Sequence, residues 1–274
     1  NTFAALLKPF LLRSCDSPGQ DVVTFTEAQL VAWVSPILWP FLRVLAVFTS
    51  APVFSSRAFP VRARIALAFL VAYASQSTLP AAPLIGFNDP GALGVVVQQV
   101  GIGLAIGFAV RVVFAAVELA GEVVGFQMGL NFAAFFDPSL NSQSSAVARF
   151  FGQMASLLFV VMNGHLMVLM AVNKSFEAFP IDQNFLEALG KMKLYQLGSD
   201  LFASALWIAL PMVGMLMFIN LALGVISRVA PQMNIFAVGF PITLVVGLIG
   251  IAYTLPMLDQ PFLALMGRVI DIFG

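Results

Sequence analysis

Few side chains in this 274-residue sequence have types and spacing that could do chemistry. Glu118 and Glu122 are the only closely spaced carboxylates in an apolar setting, and spacings of seven and four put them on one helical face with Arg111. Two neighbouring carboxylates can divide into general acid and base. A cation on the same face predicts instead a buried charge cluster, internally neutralised at a membrane edge. The polar lining of a conduit is the other expectation. His165 is the single histidine, with no second histidine or carboxylate at metal-ligand spacing, so a structural, hydrogen-bonding role is expected. One cysteine, Cys15, excludes an internal disulfide and a zinc site built from cysteines. There is no GxSxG, HExxH or Walker loop. The expectation is a protein that is not an enzyme and uses no cofactor or metal.

The stretch Gly121 to Ser139, GEVVGFQMGLNFAAFFDPS, is of another kind. Gly121, Gly125 and Gly129 recur every fourth residue, so on a helix they form a smooth ridge for close backbone approach. Met128, Phe132 and Phe136 share the same spacing on another face. A close-packing edge, a soft bulky edge and helix-weakening glycines fit either a fixed helix or a movable stopper.

The elements that must position these residues are membrane helices. Sixty percent of residues are hydrophobic, 9% are charged and the mean hydropathy is +0.97, whereas a soluble domain has about a quarter of its residues charged. Thirteen basic and thirteen acidic side chains cancel, so no global field attracts nucleic acid. Residues 1–24 read as an extension whose apolar run, broken by Lys8 and Pro9, is too short to span a bilayer. From Glu27 an apolar segment with Pro36, Pro40 and Pro52 predicts a kinked or broken helix. Its Arg43 must face protein, water or the interface, because facing lipid costs about 2.5 kcal/mol or more. Further runs at Ile65–Leu79, Ala92–Val110, Phe150–Val172, Leu201–Ser227 and Ala237–Leu258 make six crossings in all, with a charged loop at Lys174–Asp200. Gln98 and Gln99 are expected as buried amides, and Gly103 with Gly107 as a tight helix contact. Arg57, Arg62, Arg64, Arg111, Arg149 and Arg228 are assigned to the inner side, with the chain start outside.

Several blocks together resemble one family. They are Leu38 to Ala68, Gln98 to Phe108, Phe114 to Ser139 (with GFQMGL and the DP pair), MNGHLMVL at Met162 to Leu169, and Leu221 to Leu248 (with APQ.NIF..GFP.T). In this order and without large gaps they resemble the flagellar FliR family and the related T-type export-gate subunits of type III secretion injectisomes. The resemblance implies an all-α membrane protein. Its FliP-like part, 25–200, would be followed by a FliQ-like hairpin and tail, 201–274, with helices lifted partly out of the bilayer plane. It implies one copy in a hetero-oligomeric gate with FliP and FliQ, on which FlhB docks. That gate, in the bacterial inner membrane at the flagellar basal body, passes unfolded flagellar polypeptides. The segment matching 125–140 would plug the pore with Phe126, Gln127, Met128, Asn131, Phe132, Phe135 and Phe136, and Gly121, Gly125 and Gly129 would be its hinge. Arg228, Pro231, Gln232 and Asn234 would form the hairpin tip. The equivalent injectisome subunit, or a proton-coupled transporter using Arg111, Glu118, Glu122 and His165, are the alternative functions.

Overall fold

The computed structural model of the chain describes residues 27–57, 59–76, 85, 89–130, 145–181, 188–190, 192–232 and 235–273; the extension expected at 1–24 lies outside them. The described residues form an all-α protein without strands. In chain order the helices are α1 (Glu27–Ser50), α2 (Val61–Ser75), α3 (Ala92–Gln127), α4 (Ala146–Val161), α5 (Gly164–Ala178), α6 (Gln196–Val229), α7 (Ile235–Thr254) and, after a short 3-10 turn, α8 (Asp259–Phe273).

Helix α3 is the axis of the molecule. It has 36 residues and no proline, and it packs against α1, α4, α6, α8 and α5. Its buried side is made mainly of Ala, Val, Ile and Gly, so neighbours approach closely. Around it an aromatic cluster closes the core. Phe114 of α3 contacts Phe159 of α4 with ring centroids 5.6 Å apart and Phe262 of α8 at 6.0 Å, and Phe159 meets Phe54 at 6.3 Å. The C-terminal α8 therefore packs mainly on α5 and α3, which precede α6 in the chain.

The expectation of six crossings is corrected. Among the described residues four helices are long and apolar enough to cross a membrane: Val31–Ser50, Ala92–Gln127, Gln196–Val229 and Ala237–Met257. The 15 residues of α2 rise only about 22 Å, short of the roughly 30 Å of hydrocarbon. The run read as one crossing at Phe150–Val172 is two helices, α4 and α5, bent by 71°. The bend has a local cause: Asn163 takes a left-handed conformation at φ 56°, and Gly164 behind it lies against the Phe159 ring. Counting that pair as one span gives five, and the chain is a multi-pass membrane protein. The crossing expected to end at Val110 instead continues to Gln127, so Arg111 sits in mid-helix rather than beside a loop. Helix α1 runs unbroken through Pro36 and Pro40. The charged stretch at 174–200 is partly helical, since α5 extends to Ala178 and α6 begins at Gln196.

The buried arginine of α1 joins three helices. Arg43 is fully buried. Its Nε donates to Gln99 Oε1 of α3 at 2.8 Å. Nη1 donates to the Ser175 carbonyl at 2.8 Å and the Ser175 hydroxyl at 3.0 Å, and Nη2 to the Phe179 carbonyl at 2.9 Å, all at the end of α5. The guanidinium also lies 3.9 Å from the Phe176 ring centroid. Gln99 in turn donates to Gln98 Oε1 at 2.9 Å, and Gln98 donates to the Pro180 carbonyl at 3.3 Å. Of the three surroundings expected for Arg43, it takes protein, and Gln98 and Gln99 are buried amides as expected. Gly103 and Gly107 are likewise the contact with α1, where added methyl groups would run into Ala46 and Ser50.

Candidate functional site

The residues singled out at Gly121–Ser139 fall at the C-terminal end of α3. Gly121 and Gly125 are buried where α4 crosses: a methyl on Gly121 would lie 2.8 Å from Ala148 Cα, and one on Gly125 would lie 3.1 Å from Ser145 Oγ. These two form the expected ridge. Gly129 does not extend it, because α3 ends at Gln127 and Gly129 turns the chain with φ 78°. That is the left-handed geometry a glycine supplies just past a helix end.

Met128, expected on the face with Phe132 and Phe136, follows directly after the end of α3. Fully buried, it sits against α7, where a methyl on Gly247 would come within 2.6 Å of Met128 Cγ and Cε. The Thr243 hydroxyl, four residues earlier on the same face, lies 3.4 Å from the Met128 carbonyl while also bonding within its own helix. The helix stops before Met128. Phe126 is 63% exposed and Gln127 half-buried. Asn131, Phe132, Phe135 and Phe136 lie outside the described residues.

Where description resumes, Ser145 starts α4 and is held twice. Its hydroxyl accepts from the Ala148 N–H at 3.1 Å, the ordinary N-cap bond, and its own N–H donates to Glu122 Oε1 at 2.8 Å. Glu122 and Gly125 on α3 are thus the partners of Ser145. The described residues on either side of 131–144 are thus held, Met128 against α7 and Ser145 against the last turns of α3.

The expected buried charge cluster is not what forms. Arg111 and Glu118 are exposed on α3, Glu122 is half-buried, and among the described residues neither Arg111 nor Glu118 makes an ion pair. Seven helical residues separate Arg111 and Glu118 by about 10 Å along the axis, too far for side chains to meet without bending toward each other. Together with Leu93, Val97, Leu104, Phe108 and Phe126 they form an outward stripe on the mostly buried α3. His165 is half-buried in the first turn of α5, beside the bend. Arg228 is exposed in the last turn of α6, Pro231 and Gln232 are exposed in the following turn, and Asn234 lies outside the described residues.

Sequence reasoning missed Thr243, Gly247 and Ser145. A signal was present in α7, where Gly239, Thr243, Gly247 and Gly250 follow spacings of four, four and three and are all buried. Gly250 opens a second notch, with a would-be methyl 2.6 Å from Met212 Sδ on α6. Which helix end fills each notch is tertiary information.

Residues 34–269 match the sequence profile of bacterial export proteins, family 1. The chain is 40% identical over 258 residues to the flagellar biosynthetic protein FliR of Pectobacterium carotovorum, covering 92% of this chain and 97% of that one. It is 40% identical over 239 residues to the FliR of Escherichia coli K12, covering 86% and 90%. To the FliR of Bacillus subtilis it is 31% identical over 212 residues, covering 76% and 82%.

Proposed function

From the premise that this chain belongs to the bacterial export proteins of family 1, we propose that it is the FliR-type subunit of a flagellar type III export gate. The single observation that carries this reading is 40% identity to a flagellar FliR protein across 97% of that protein's length. The relatives from Escherichia coli and Bacillus subtilis carry the same flagellar name, which favours a flagellar over an injectisome gate.

In this reading one copy joins FliP and FliQ in the inner membrane at the basal body. The resulting pore passes unfolded flagellar polypeptides, and FlhB docks on the assembly. Residues 25–200 act as the FliP-like part and 201–274 as the FliQ-like hairpin with its tail. The segment that continues from the end of α3, with Phe126 at its start and Asn131, Phe132, Phe135 and Phe136 beyond, plugs the pore at rest. Soft aromatic side chains suit a seal that must stop ions yet yield to varied polypeptides. Met128 serves as the anchor of that segment rather than as part of the seal, which is supported by its burial against α7.

The test is deletion of residues 131–136, which leaves Met128 in place. In cells with an otherwise intact gate, ion leakage across the inner membrane should rise while the complex still assembles. An ion-tight membrane with normal secretion would overturn the plug.

A further inference from the structure

Helices α1 and α2 form a hairpin that carries an open apolar groove. The Phe41 and Phe69 rings meet with centroids 6.4 Å apart, nine residues before the end of α1 and eight after the start of α2, so α2 runs back along α1. Beside that contact a cavity of about 300 Å³ is lined by Trp33, Val34, Ile37, Leu38, Phe41 and Phe69, all of them apolar. Trp33 and Phe69 are each more than half exposed, so the groove opens to the outside of the chain.

The turn that joins the two helices is basic. Arg57, Arg62 and Arg64 fall within eight residues, and no acidic residue occurs between Glu27 and Asp89. Arg57 and Arg62 are exposed and Arg64 is half-buried. Among the described residues none of the three side chains has an ion pair or a hydrogen bond, and Arg64 Nε is buried without an acceptor. Arg62 lies on the same face of α2 as Phe69, seven residues and about 10 Å away along the axis, with the exposed Ile65 between them. Trp33, eight residues from Phe41, marks the far end of the groove about 12 Å further on. The groove thus covers a band about 10 to 22 Å from Arg62. One leaflet has about 15 Å of hydrocarbon under a headgroup layer of about 5 Å, so a lipid whose phosphate sits at Arg62 runs its chain through that band.

We propose that the α1–α2 hairpin binds one anionic phospholipid, with its phosphate on Arg57 and Arg62 and an acyl chain in the groove between Trp33 and Phe69. Charge selects this occupant. An apolar helix or a lipid without net charge covers the groove but leaves three arginines uncompensated. The positive-inside bias assigns the turn to the cytoplasmic side, where basic pockets beside membrane helices take anionic headgroups. A guanidinium also matches phosphate through two parallel hydrogen bonds. The site requires only that the chain sits in a bilayer, so it stands or falls independently of the plug.

The experiment is tryptophan quenching in the full chain, reconstituted in phosphatidylcholine vesicles with a minor share of lipid brominated in its acyl chains. The brominated lipid is phosphatidylglycerol in one series and phosphatidylcholine in the other. Trp39 is buried and Trp207 is exposed on α6, so the Trp33 signal is the difference between the parent and Trp33→Phe. Brominated phosphatidylglycerol should quench that signal several-fold more than brominated phosphatidylcholine, while the signal left in Trp33→Phe responds equally to both. Arg57→Gln with Arg62→Gln should abolish the preference, and Arg57→Lys with Arg62→Lys should keep part of it. If the double glutamine variant does not reconstitute, raised salt is applied to the parent and should reduce the preference.

Equal quenching of Trp33 by the two lipids would mean that bulk lipid fills the groove. No quenching by either would mean that protein covers it, residues 1–26 included. Each result overturns the site, as does a preference that survives the loss of both arginines or, in the parent, raised salt.

Discussion

Arg43 shows how one residue in a membrane helix can be buried without a carboxylate partner among the described residues. Its four hydrogen bonds go to Gln99, the Ser175 hydroxyl and the carbonyls of Ser175 and Phe179. Those carbonyls belong to the last turn and cap of α5, where aligned peptide dipoles leave about half a negative charge. The Phe176 ring adds a further electron-rich face. Arg43→Ala removes the donor from two helices at once and should cost about 3–5 kcal/mol, because buried acceptors are left without partners. Arg43→Lys keeps the charge but not the planar fork and should recover only part of the loss. Thermal unfolding of the purified chain in detergent checks both, and an unchanged midpoint for Arg43→Ala would contradict this account. That Arg43 had to avoid lipid was legible in the sequence, because the cost of a charge in hydrocarbon is local. Its partners were not, since Ser175 and Phe179 lie more than a hundred residues away and carry no distinguishing pattern.

Within single helices, legibility followed periodicity. The pairs Gly103/Gly107 and Gly121/Gly125 announced close packing and provide it, whereas the bend between α4 and α5 lies inside an apolar run with no proline. It depends on Asn163 and Gly164, and an Asn-Gly pair reads equally as part of a span. The bend gives a clean test. Asn163→Gly should be nearly neutral, and Asn163→Ile should cost about 1–2 kcal/mol, because a β-branched residue resists positive φ. Denaturation of the two variants side by side in one detergent checks this; equal stability would mean that the bend is imposed from elsewhere. Glycines give a second contrast at this scale. Gly121→Val has nowhere to go, with Ala148 and Phe151 at contact, and should destabilise the α3–α4 pair by a few kcal/mol. Gly224→Ala in α6 meets open space and should leave the isolated chain unchanged or more stable by up to about 1 kcal/mol.

Across the whole molecule the two long helices have opposite surroundings, and the sequence alone does not separate them. Helices α3 and α6 are similar in length and both strongly apolar, yet 67% of the α3 span is buried against 22% of the α6 span. Composition reports that a helix avoids water; it does not report whether lipid, the chain itself or another protein covers it. Length narrows the choice for α6. Its 34 residues reach about 51 Å, roughly 20 Å beyond the hydrocarbon thickness, and Trp207 in its first half and Phe218, Leu221, Val225 and Val229 toward its far end remain exposed. Fitting the whole helix within lipid would require a tilt of more than about 50°, outside the usual range of about 0–40°. Part of this face therefore needs cover other than lipid, which a partner protein of the proposed gate would supply. Photo-crosslinking residues placed at Phe202, Phe218 and Val229 should give a protein–protein adduct from at least one position, while Val117, buried in α3, should give none. Adducts to lipid alone from all three α6 positions would mean that the bilayer accommodates the entire helix.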